Sequence, residues 1–530
     1  MYFCIIREFL GDYIIFEKWW SIMINLNSFF GNESSNEIEL LQVLYKNSGF
    51  MDIEELSAHL NMDRRSVYKY FELLQNNSYS LESTTNEILI SKRGRGYKFA
   101  GTKKEYKLLY KKIVESNPFF ELLTSLLLNN EVSITKFSID HFMSESKFLK
   151  RLYELNLLFE EYGLSVKRRA GQARLMGDEA KIRFFAVAFF WKVYHGSYWP
   201  FPSISKKKCD QLVSKIFTKN KINYNEIGQN LTSYAFAITI LRVRRGLRID
   251  PKKIDSIKKS PFIDDEVFSI ILNTEDELTA TLLKEFRSSY HLDETEITFL
   301  LFWFYSNSNF YLVNPRLKEY LNHFTKKKGD LFSVSKLQRK LPEISRFKTL
   351  SLTTKQMYLS TLLAGSMSVE LFGKTSFTVT GYEIEEYIQK NAPKLLLRAT
   401  ELLTQASIYS DDPDKKYGLA LQIAIANTLI INPTDYMKKI KIKIETDLPT
   451  ALEFTVVDRI KNTFKSFYNI ELSNNLSYQD ADFCLSTNPL SEMDRSIDTL
   501  LINAQVTKSD IVAINQKIMD ILNEKDTRPY

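Results

Sequence analysis

The chain has few cysteines, and their spacing excludes two kinds of structural site. Its 530 residues include only Cys4, Cys209 and Cys484, which lie far apart, form no CxxC pair and have no histidine at metal-ligand spacing. Disulfide-stabilised secreted domains and zinc-binding domains both need clustered cysteines. We therefore expect no disulfide framework, no bound metal and no cofactor, and a reducing cytoplasm is the expected location.

Long apolar runs are also missing. Residues 184–191 and 299–305 are the most apolar stretches, but they are shorter than the roughly 20 residues that cross a bilayer, so they predict buried helices and no membrane partner. Residues 1–24 are aromatic and aliphatic, but five charges interrupt them, which argues against a signal peptide. For this segment, a packing extension or a start codon placed upstream of the true one near Met23 is favoured over a membrane-surface helix.

The sequence has none of the common catalytic motifs. It contains no GxSxG, HExxH or Walker loop and no paired set of cysteines and histidines. Acidic groups occur at residues 54–55, 264–266 and 411–414, but adjacent residues on a helix diverge in direction and the latter two groups lie in loop-like contexts. Helix caps and solvated surfaces explain these acids, so the chain is not expected to be an enzyme.

What the sequence does contain is a helix-turn-helix pattern that occurs twice. In residues 37–101, apolar periodicity predicts three helices, the second at residues 53–60 and the third at residues 64–77 after Asp63 as its N-cap. An apolar stripe on the third helix leaves its basic residues on the opposite, outward face, which suits a major groove. The outward residues are Arg64, Arg65, Tyr68 and Lys69.

A basic hairpin follows this third helix. Residues 87–100 predict two short strands around a turn, where Gly94 and Gly96 can adopt a positive φ at little cost. The three helices and this hairpin together predict a winged helix-turn-helix domain. A nucleotide-binding loop is disfavoured, because this GxG pair lacks a third glycine and a following helix. The cations of the hairpin and linker, which can neutralise several phosphates, are Lys92, Arg93, Arg95, Lys98, Lys103 and Lys104.

Residues 116–177 repeat this plan. Helices are predicted at residues 118–129, 134–141 and 147–162, and a wing at residues 164–176. Ser144 or Ser146 can cap the third helix, and the wing turns at Ala170 and Gly171. The outward basic residues are Lys147, Lys150 and Arg151 on the helix, and Lys167, Arg168, Arg169 and Arg174 on the wing, without an acidic neighbour in the wing sequence. A single basic run is often only a solvated surface without a function. The same order of helices and wing occurs twice, however, and this favours two DNA-reading units.

The rest of the chain divides into a helical middle and an α/β tail. Helical patterns up to residue 432 are long enough for two bundles, and the alternating strands and helices after Pro433 predict a mainly parallel sheet. The expected fold is therefore multidomain and mainly α. Its predicted domains are an N-terminal extension (residues 1–30), two winged helix-turn-helix domains (31–104 and 105–178), two all-α bundles (179–308 and 309–433) and a small α/β domain (434–530).

This domain order resembles that of a known family. Residues 190–202, FWKVYHGSYWPFP, and residues 236–241, FAITIL, are similar to segments of the first helical domain in the Mga/AtxA class of virulence-type transcription regulators of Gram-positive bacteria. The resemblance implies PRD-like bundles, related to phosphotransferase-system regulation domains, and an EIIB-like tail. It also implies promoter DNA binding, usually activation, a homodimer or larger assembly, and RNA polymerase and phosphotransferase-system proteins as partners.

The sequence departs from the family pattern at the phosphorylation sites that the resemblance implies. Trp303 and Asn230 stand near positions where regulatory histidines are expected, and residues 446–450 lack the cysteine nucleophile of an EIIB domain. The tail is therefore expected to be an assembly or sensing module without phosphotransfer chemistry. The candidates for phosphorylation, by residue type alone, are His195, His291 and His323. For each, an unmodified histidine at the surface or a helix end is favoured.

These patterns together predict a DNA-binding transcription regulator with tandem winged helices. The alternative is a sugar-status sensor or protein-interaction regulator whose wings contact proteins and have little affinity for DNA. A third possibility is RNA binding, as in antiterminators that contain PRDs, although their RNA-binding part is not a winged helix.

Overall fold

The computed structural model describes residues 30–326 and 347–527, apart from residues 80, 82–86, 161, 223–224, 348, 375–377, 379–383 and 490–496. The predicted N-terminal extension therefore lies, except for Phe30, outside the described residues. Within these ranges helices dominate, and the strands form sheets of two, three and four members. No described helix is both long enough and apolar enough to span a bilayer.

The first winged unit begins with three helices. They are α1 (Asn32–Lys46), α2 (Ile53–Leu60) and α3 (Arg64–Tyr79). At the start of α3 the Asp63 carboxylate accepts the Ser66 N–H at 2.9 Å, which confirms the predicted N-cap. Val67, Phe71 and Leu74 are buried, so the predicted apolar stripe is confirmed as well.

The wing of this unit is held close against the helices. Its strands, β1 (Leu89–Lys92) and β2 (Gly96–Phe99), pair antiparallel. Met51, just before α2, exchanges two backbone hydrogen bonds with Tyr97, at N···O distances of 2.9 and 2.8 Å. This close approach requires glycine at position 96, because its φ is 92° and a Cβ there would lie 2.0 Å from the Met51 carbonyl oxygen.

Replacing Gly96 with alanine is expected to destabilise the first unit by about 2 kcal/mol or more, because backbone strain and a backbone clash act together. Gly94 provides the matched control. Its φ is also positive, at 74°, but nothing lies within 4 Å of the Cβ position, so Gly94→Ala should cost only about 1 kcal/mol. Thermal unfolding followed by circular dichroism measures both variants. Equal melting temperatures would contradict this account of the wing.

A helix that was not predicted, α4 (Lys103–Glu115), joins the two units. It begins with a capping box, in which the Thr102 N–H donates to the Glu105 carboxylate at 2.6 Å and the Glu105 N–H donates to the Thr102 hydroxyl at 3.3 Å. Tyr106 and Ile113 are buried on its inner face. Lys103 and Lys104, expected in a linker, therefore lie on the exposed first turn of a helix.

The second winged unit has the same plan. Its elements are α5 (Pro118–Asn129), β3 (Glu131–Ser133), α6 (Ile134–Asp140), α7 (Glu145–Glu160), β4 (Ser165–Arg169) and β5 (Gln172–Met176). The short strand β3, which was not predicted, pairs with β5 and makes the wing three-stranded. Ser144 caps α7 by accepting the Lys147 N–H at 3.2 Å. Ala170 and Gly171, with φ of 49° and 75°, form the predicted two-residue turn.

The middle of the chain is helical. Its helices are α8 (Glu179–Tyr194), α9 (Lys206–Lys219), α10 (Glu226–Arg244), α11 (Pro251–Lys258), α12 (Asp265–Ile271), α13 (Glu277–Tyr290), α14 (Glu294–Phe304), α15 (Ser308–Val313), α16 (Pro315–Lys326), α17 (Leu352–Phe372), α18 (Ile384–Asn391), α19 (Pro393–Gln405) and α20 (Pro413–Asn427). Helices α8, α10, α14 and α17 are apolar on most sides, as expected for buried helices. Their side chains form one core that continues into both winged units.

The tail is an α/β unit with a core of its own. Its elements are β6 (Ile440–Glu445), α21 (Thr450–Phe464), β7 (Ile470–Ser473), β8 (Phe483–Ser486), β9 (Thr499–Leu501) and α22 (Lys508–Thr527). The four strands pair in parallel in the order β7-β6-β8-β9, which confirms the predicted parallel sheet. Strand β7 was not predicted. Isoleucines alternate with lysines along β6, and the isoleucines are buried.

Candidate nucleic-acid interface

The outward face of α3 presents the residues predicted for it. Arg65 is exposed and forms no ion pair within the described part of the chain. Tyr68 is 54% exposed, and its ring meets the ring of Tyr97 on the wing edge-on, with centroids 6.1 Å apart. This contact fixes the tyrosine at the junction of helix and wing, where both can approach a duplex.

Two other cations on α3 have partners within the unit. Arg64 pairs with Glu54 of α2, and Lys69 pairs with Glu33 of α1, both at 2.6 Å. All four side chains are largely exposed, and an exposed pair of this kind is worth only about 0–1 kcal/mol. A phosphate group can therefore replace either glutamate at little cost.

The first wing carries exposed cations at its turn. Arg93 and Arg95 are exposed and form no ion pair with any described residue. On the strands of the wing, the ammonium groups of Lys92 and Lys98 lie 5.7 and 5.9 Å from the ring centroid of Phe50. The lysines thus pack on the protein, while the arginines extend into solvent.

The second recognition helix, α7, differs from the prediction at one residue. Lys147 and Lys150 are exposed, as predicted. The prediction that Arg151 points outward is wrong, because its side chain is only 11% exposed. Its guanidinium lies 5.1 Å from the Phe119 ring centroid and 2.7 Å from the Glu154 carboxylate. Arg151 therefore packs between helices and does not face a groove.

The second wing also requires one correction. Lys167, Arg168 and Arg169 are exposed and have no ion-pair partner among the described residues. Arg174, however, pairs at 2.6 Å with Glu131, which lies opposite it on β3. The expectation that Arg174 has no acidic neighbour is therefore wrong in the folded chain.

The two winged units are fixed to each other. The Asn117 side-chain amide, at the N-cap of α5, donates to the Phe30 carbonyl and to the Ser34 hydroxyl, each at 2.8 Å. The rings of Phe30 and Phe120 pack with centroids 6.4 Å apart. The start of α1 is thus tied to the start of α5, which sets the spacing of the two readers.

A buried charge network ties the second unit to the helical middle. The Arg183 guanidinium contacts both Glu296 carboxylate oxygens, at 2.5 and 3.1 Å, and Glu179 at 2.8 Å. Arg242 reaches the same Glu179 at 2.6 and 2.7 Å and donates to the Leu127 carbonyl of α5 at 2.5 Å. Burial alone would lower the pKa of Arg183, but the two glutamates raise it, so the arginine stays charged.

Several exposed residues near the interface were not predicted. Tyr153 is 66% exposed and Leu157 is 50% exposed, and both continue the face of Lys150 along α7. The spacing of 150, 153 and 157 is a helical stripe that the sequence already contained. Phe142, in the turn before α7, is 99% exposed with a φ of 50°. No periodicity marks such a turn residue, so its exposure could not be predicted from the sequence.

The candidate phosphorylation sites lie at two helix ends and on one helix. His195 and His291 end α8 and α13 in the left-handed conformation, with φ of 48° and 54°. The His195 Nδ1 lies 2.9 Å from the Trp191 carbonyl, and burial lowers the pKa of His195 to about 4. His323 is exposed on α16. Phosphorylation of these histidines stays a prediction.

Two further features concern chemistry outside the winged units. Cys484 of the tail is fully buried in β8, where packing explains it. Trp303, which stands where the resemblance implies a histidine, packs against Phe372 with ring centroids 5.2 Å apart. Among the residues that the structure describes, no three histidine, cysteine or acidic side chains are grouped as a metal site.

Comparison with family models supports both winged units. Residues 102–190 match the Mga helix-turn-helix domain, and residues 36–98 match a helix-turn-helix domain. The first of these matches begins at the N-cap of α4, so the helix that was not predicted lies inside it.

Two relatives are similar over part of their length. The anthrax toxin expression trans-acting positive regulator of Bacillus anthracis is 22% identical over 269 residues, which is 50% of this chain and 52% of the relative. A putative trans-acting regulator of Streptococcus pneumoniae is 18% identical over 283 residues, 53% of this chain and 54% of the relative. The chain thus spans about half the length of these relatives. With the two domain matches, these similarities support the Mga/AtxA-type family of transcription regulators as the family that the chain resembles.

Proposed function

We propose that the protein regulates transcription by binding duplex promoter DNA through both winged units at once. One observation carries the proposal: each wing exposes arginines, in its turn or directly before it, that form no ion pair within the described part of the chain. They are Arg93 and Arg95 in the first wing and Arg168 and Arg169, next to Lys167, in the second. When such cations contact DNA phosphates, the DNA releases bound counterions, and this release contributes favourable binding free energy.

The recognition helices supply the contacts that read sequence. The residues proposed to reach bases or nearby phosphates are Arg65, Tyr68, Lys147, Lys150 and Tyr153, together with Arg64 and Lys69 after release of their glutamates. These side chains lie on the outward faces of α3 and α7, and the proposal places these faces in a major groove. Arg151 is not proposed as a contact, because its side chain is buried between helices. Arg174, like Arg64 and Lys69, would reach a phosphate only after release of its glutamate.

The remaining domains are proposed to regulate this binding. We infer PRD-like bundles at residues 179–308 and 309–433 and an EIIB-like domain at residues 434–530, which mediate assembly as a homodimer or larger oligomer. The helical middle and the parallel tail sheet support these assignments. Because the relative from Bacillus anthracis is described as a positive regulator, activation is the proposed direction of control. RNA polymerase and phosphotransferase-system proteins are the proposed protein partners.

A salt titration of the full-length protein tests DNA binding directly. A labelled random duplex is titrated at several salt concentrations, with unlabelled duplex and hairpin RNA as competitors. We expect the logarithm of the binding constant to fall linearly with the logarithm of salt concentration, with a slope that reports several phosphate contacts. No binding at low salt would favour the sensor or protein-interaction function instead. Stronger competition by the hairpin would favour RNA binding.

Replacing Arg65 with alanine is expected to reduce base preference at one position of the binding site. An arginine that contacts a base edge contributes about 1–3 kcal/mol of discrimination. Selection of binding sites from a random duplex library, followed by sequencing, compares the variant with the wild type. Lys207→Ala on α9 is the control, since that lysine is exposed but lies outside the winged units. An unchanged selected sequence in the Arg65 variant would remove Arg65 from base recognition.

A further inference from the structure

A cavity of about 620 Å³ lies within the helical middle. Helices α8, α10, α14, α15, α17 and α20 are among the elements that line it. Its volume falls in the range of about 300–1,000 Å³ that is usual for small-molecule sites. Because these helices come from both halves of the helical middle, a bound molecule would contact both halves.

One wall of the cavity is aromatic. Phe184, Trp303 and Phe372 form a cluster in which the ring centroids lie 4.6 Å apart for Phe184 and Phe372, and 5.2 Å apart for Trp303 and Phe372. All three side chains line the cavity. Such a wall offers apolar aromatic surface to one face of a ligand.

Other lining side chains are polar and have unused hydrogen-bonding groups. Gln422, Ser368 and Ser308 line the cavity, and none of them hydrogen-bonds through its side chain to another described residue. Gly365 on α17 makes room for the glutamine, since a Cβ at that position would lie 2.7 Å from the Gln422 Cβ and 2.9 Å from its Oε1. By contrast, the Thr232 hydroxyl already donates to the Gly228 carbonyl at 2.8 Å. The cavity therefore holds an amide and two hydroxyls that are available to a ligand.

The described lining of the cavity carries no charged side chain. No lysine, arginine, histidine, aspartate or glutamate is among the described residues that line it. Entry of an anion or a cation would leave an unpaired charge next to an apolar wall, which is costly. Phosphorylated compounds, carboxylates and amines are therefore disfavoured, and neutral molecules with several hydroxyl groups and one apolar face fit the lining.

We propose that this cavity binds a neutral, unphosphorylated sugar. The apolar C–H face of the ring would lie on Phe184, Trp303 and Phe372, and its hydroxyls would bond to Gln422, Ser368 and Ser308. The inference goes beyond the proposed DNA-binding function and does not depend on it. By bridging α8, α10 and α14 to α17 and α20, the sugar would stabilise the contact between the two halves of the helical middle.

Saturation-transfer NMR on the full-length protein tests the site. The probes are glucose, maltose and methyl β-glucoside at millimolar concentration, with glucose 6-phosphate as the anionic comparison. We expect transfer to the ring protons of at least one neutral sugar and none to glucose 6-phosphate. In Gln422→Leu, which keeps the side-chain size but removes the amide, the dissociation constant should rise about threefold to tenfold. Ser368→Phe, which fills the cavity, should abolish binding.

Gln516→Leu on α22 of the tail is the matched control, and its dissociation constant should equal that of the wild type. Circular dichroism checks that each variant is folded, and if Ser368→Phe does not fold, Gln422→Leu alone decides. The proposal is overturned if no neutral sugar gives transfer with the wild type, if both variants bind as the wild type does, or if glucose 6-phosphate binds best. Binding of duplex DNA, measured separately, distinguishes these outcomes from a failure of the proposed regulatory function.

Discussion

Replacing Arg168 and Arg169 with alanine is expected to weaken binding to every duplex and to flatten its salt dependence. Each phosphate contact contributes about −0.9 to the slope of log binding constant against log salt concentration. Loss of two contacts should therefore change the slope by about 1.8, which makes the fall in affinity between about 50 and 200 mM salt roughly twelvefold smaller. Base preference should not change, because phosphate contacts position a protein without reading sequence.

A matched control for the second wing is available on α9. Lys207 and Lys208 are adjacent and exposed, like the two arginines, and replacing both with alanine removes the same charge from a site outside the winged units. Fluorescence anisotropy with a labelled duplex measures both double variants over a series of salt concentrations. The lysine variant should keep the wild-type slope. If the arginine variant keeps it too, the second wing takes no part in DNA binding.

The winged units were predictable to the extent that their signals are local. The Asp63 cap, the apolar stripe of α3 and the turn at Ala170 and Gly171 all depend on residues within a few positions of each other, and the structure confirms them. Short-range periodicity and turn chemistry are set by the chain itself. The exposure of the wing arginines followed from the same patterns.

The errors arose where a residue's surroundings come from distant parts of the chain. Arg174 is 43 residues from Glu131, and the strand that brings them together, β3, has only three residues, too few to show a period. The apolar periodicity of α7 places Arg151 on the outward face, but packing against Phe119 buries it. The missed helix α4 is a different case, since the Thr102 and Glu105 capping box was present in the sequence.

The charge network could not be predicted for the same reason. Arg183 and Glu296 are 113 residues apart, and both lie in segments whose apolar neighbours indicate only burial. A fully buried ion pair depends on exact geometry and on further hydrogen bonds, such as the one that Glu296 accepts from the Ile249 N–H at 2.9 Å. The network is thus a product of the tertiary fold, and it is also the point at which the fold is most sensitive to substitution.

Replacing Glu296 with alanine is expected to destabilise the helical middle by about 3–5 kcal/mol, because the Arg183 guanidinium is left buried without its main counter-charge. For a helical region of this size, such a loss corresponds to a fall in melting temperature of roughly 6–20 °C. Differential scanning calorimetry of the full-length protein measures it. Glu294→Ala is the control on the same helix, since Glu294 pairs with Arg287 at the surface and its removal should cost less than about 1 kcal/mol.

A double variant separates the buried charge from the lost packing. Arg183→Met with Glu296→Leu replaces the pair by apolar side chains of similar volume, and it should recover most of the stability that Glu296→Ala loses, since removing both charges abolishes the uncompensated one. Glu179 and Arg242 remain paired in this variant, so the hydrogen bond from Arg242 to the Leu127 carbonyl should still hold the second winged unit. Two results would contradict this account: the same melting temperature for Glu296→Ala and the wild type, or a double variant no more stable than Glu296→Ala. Either would mean that the charges of the network do not stabilise the fold.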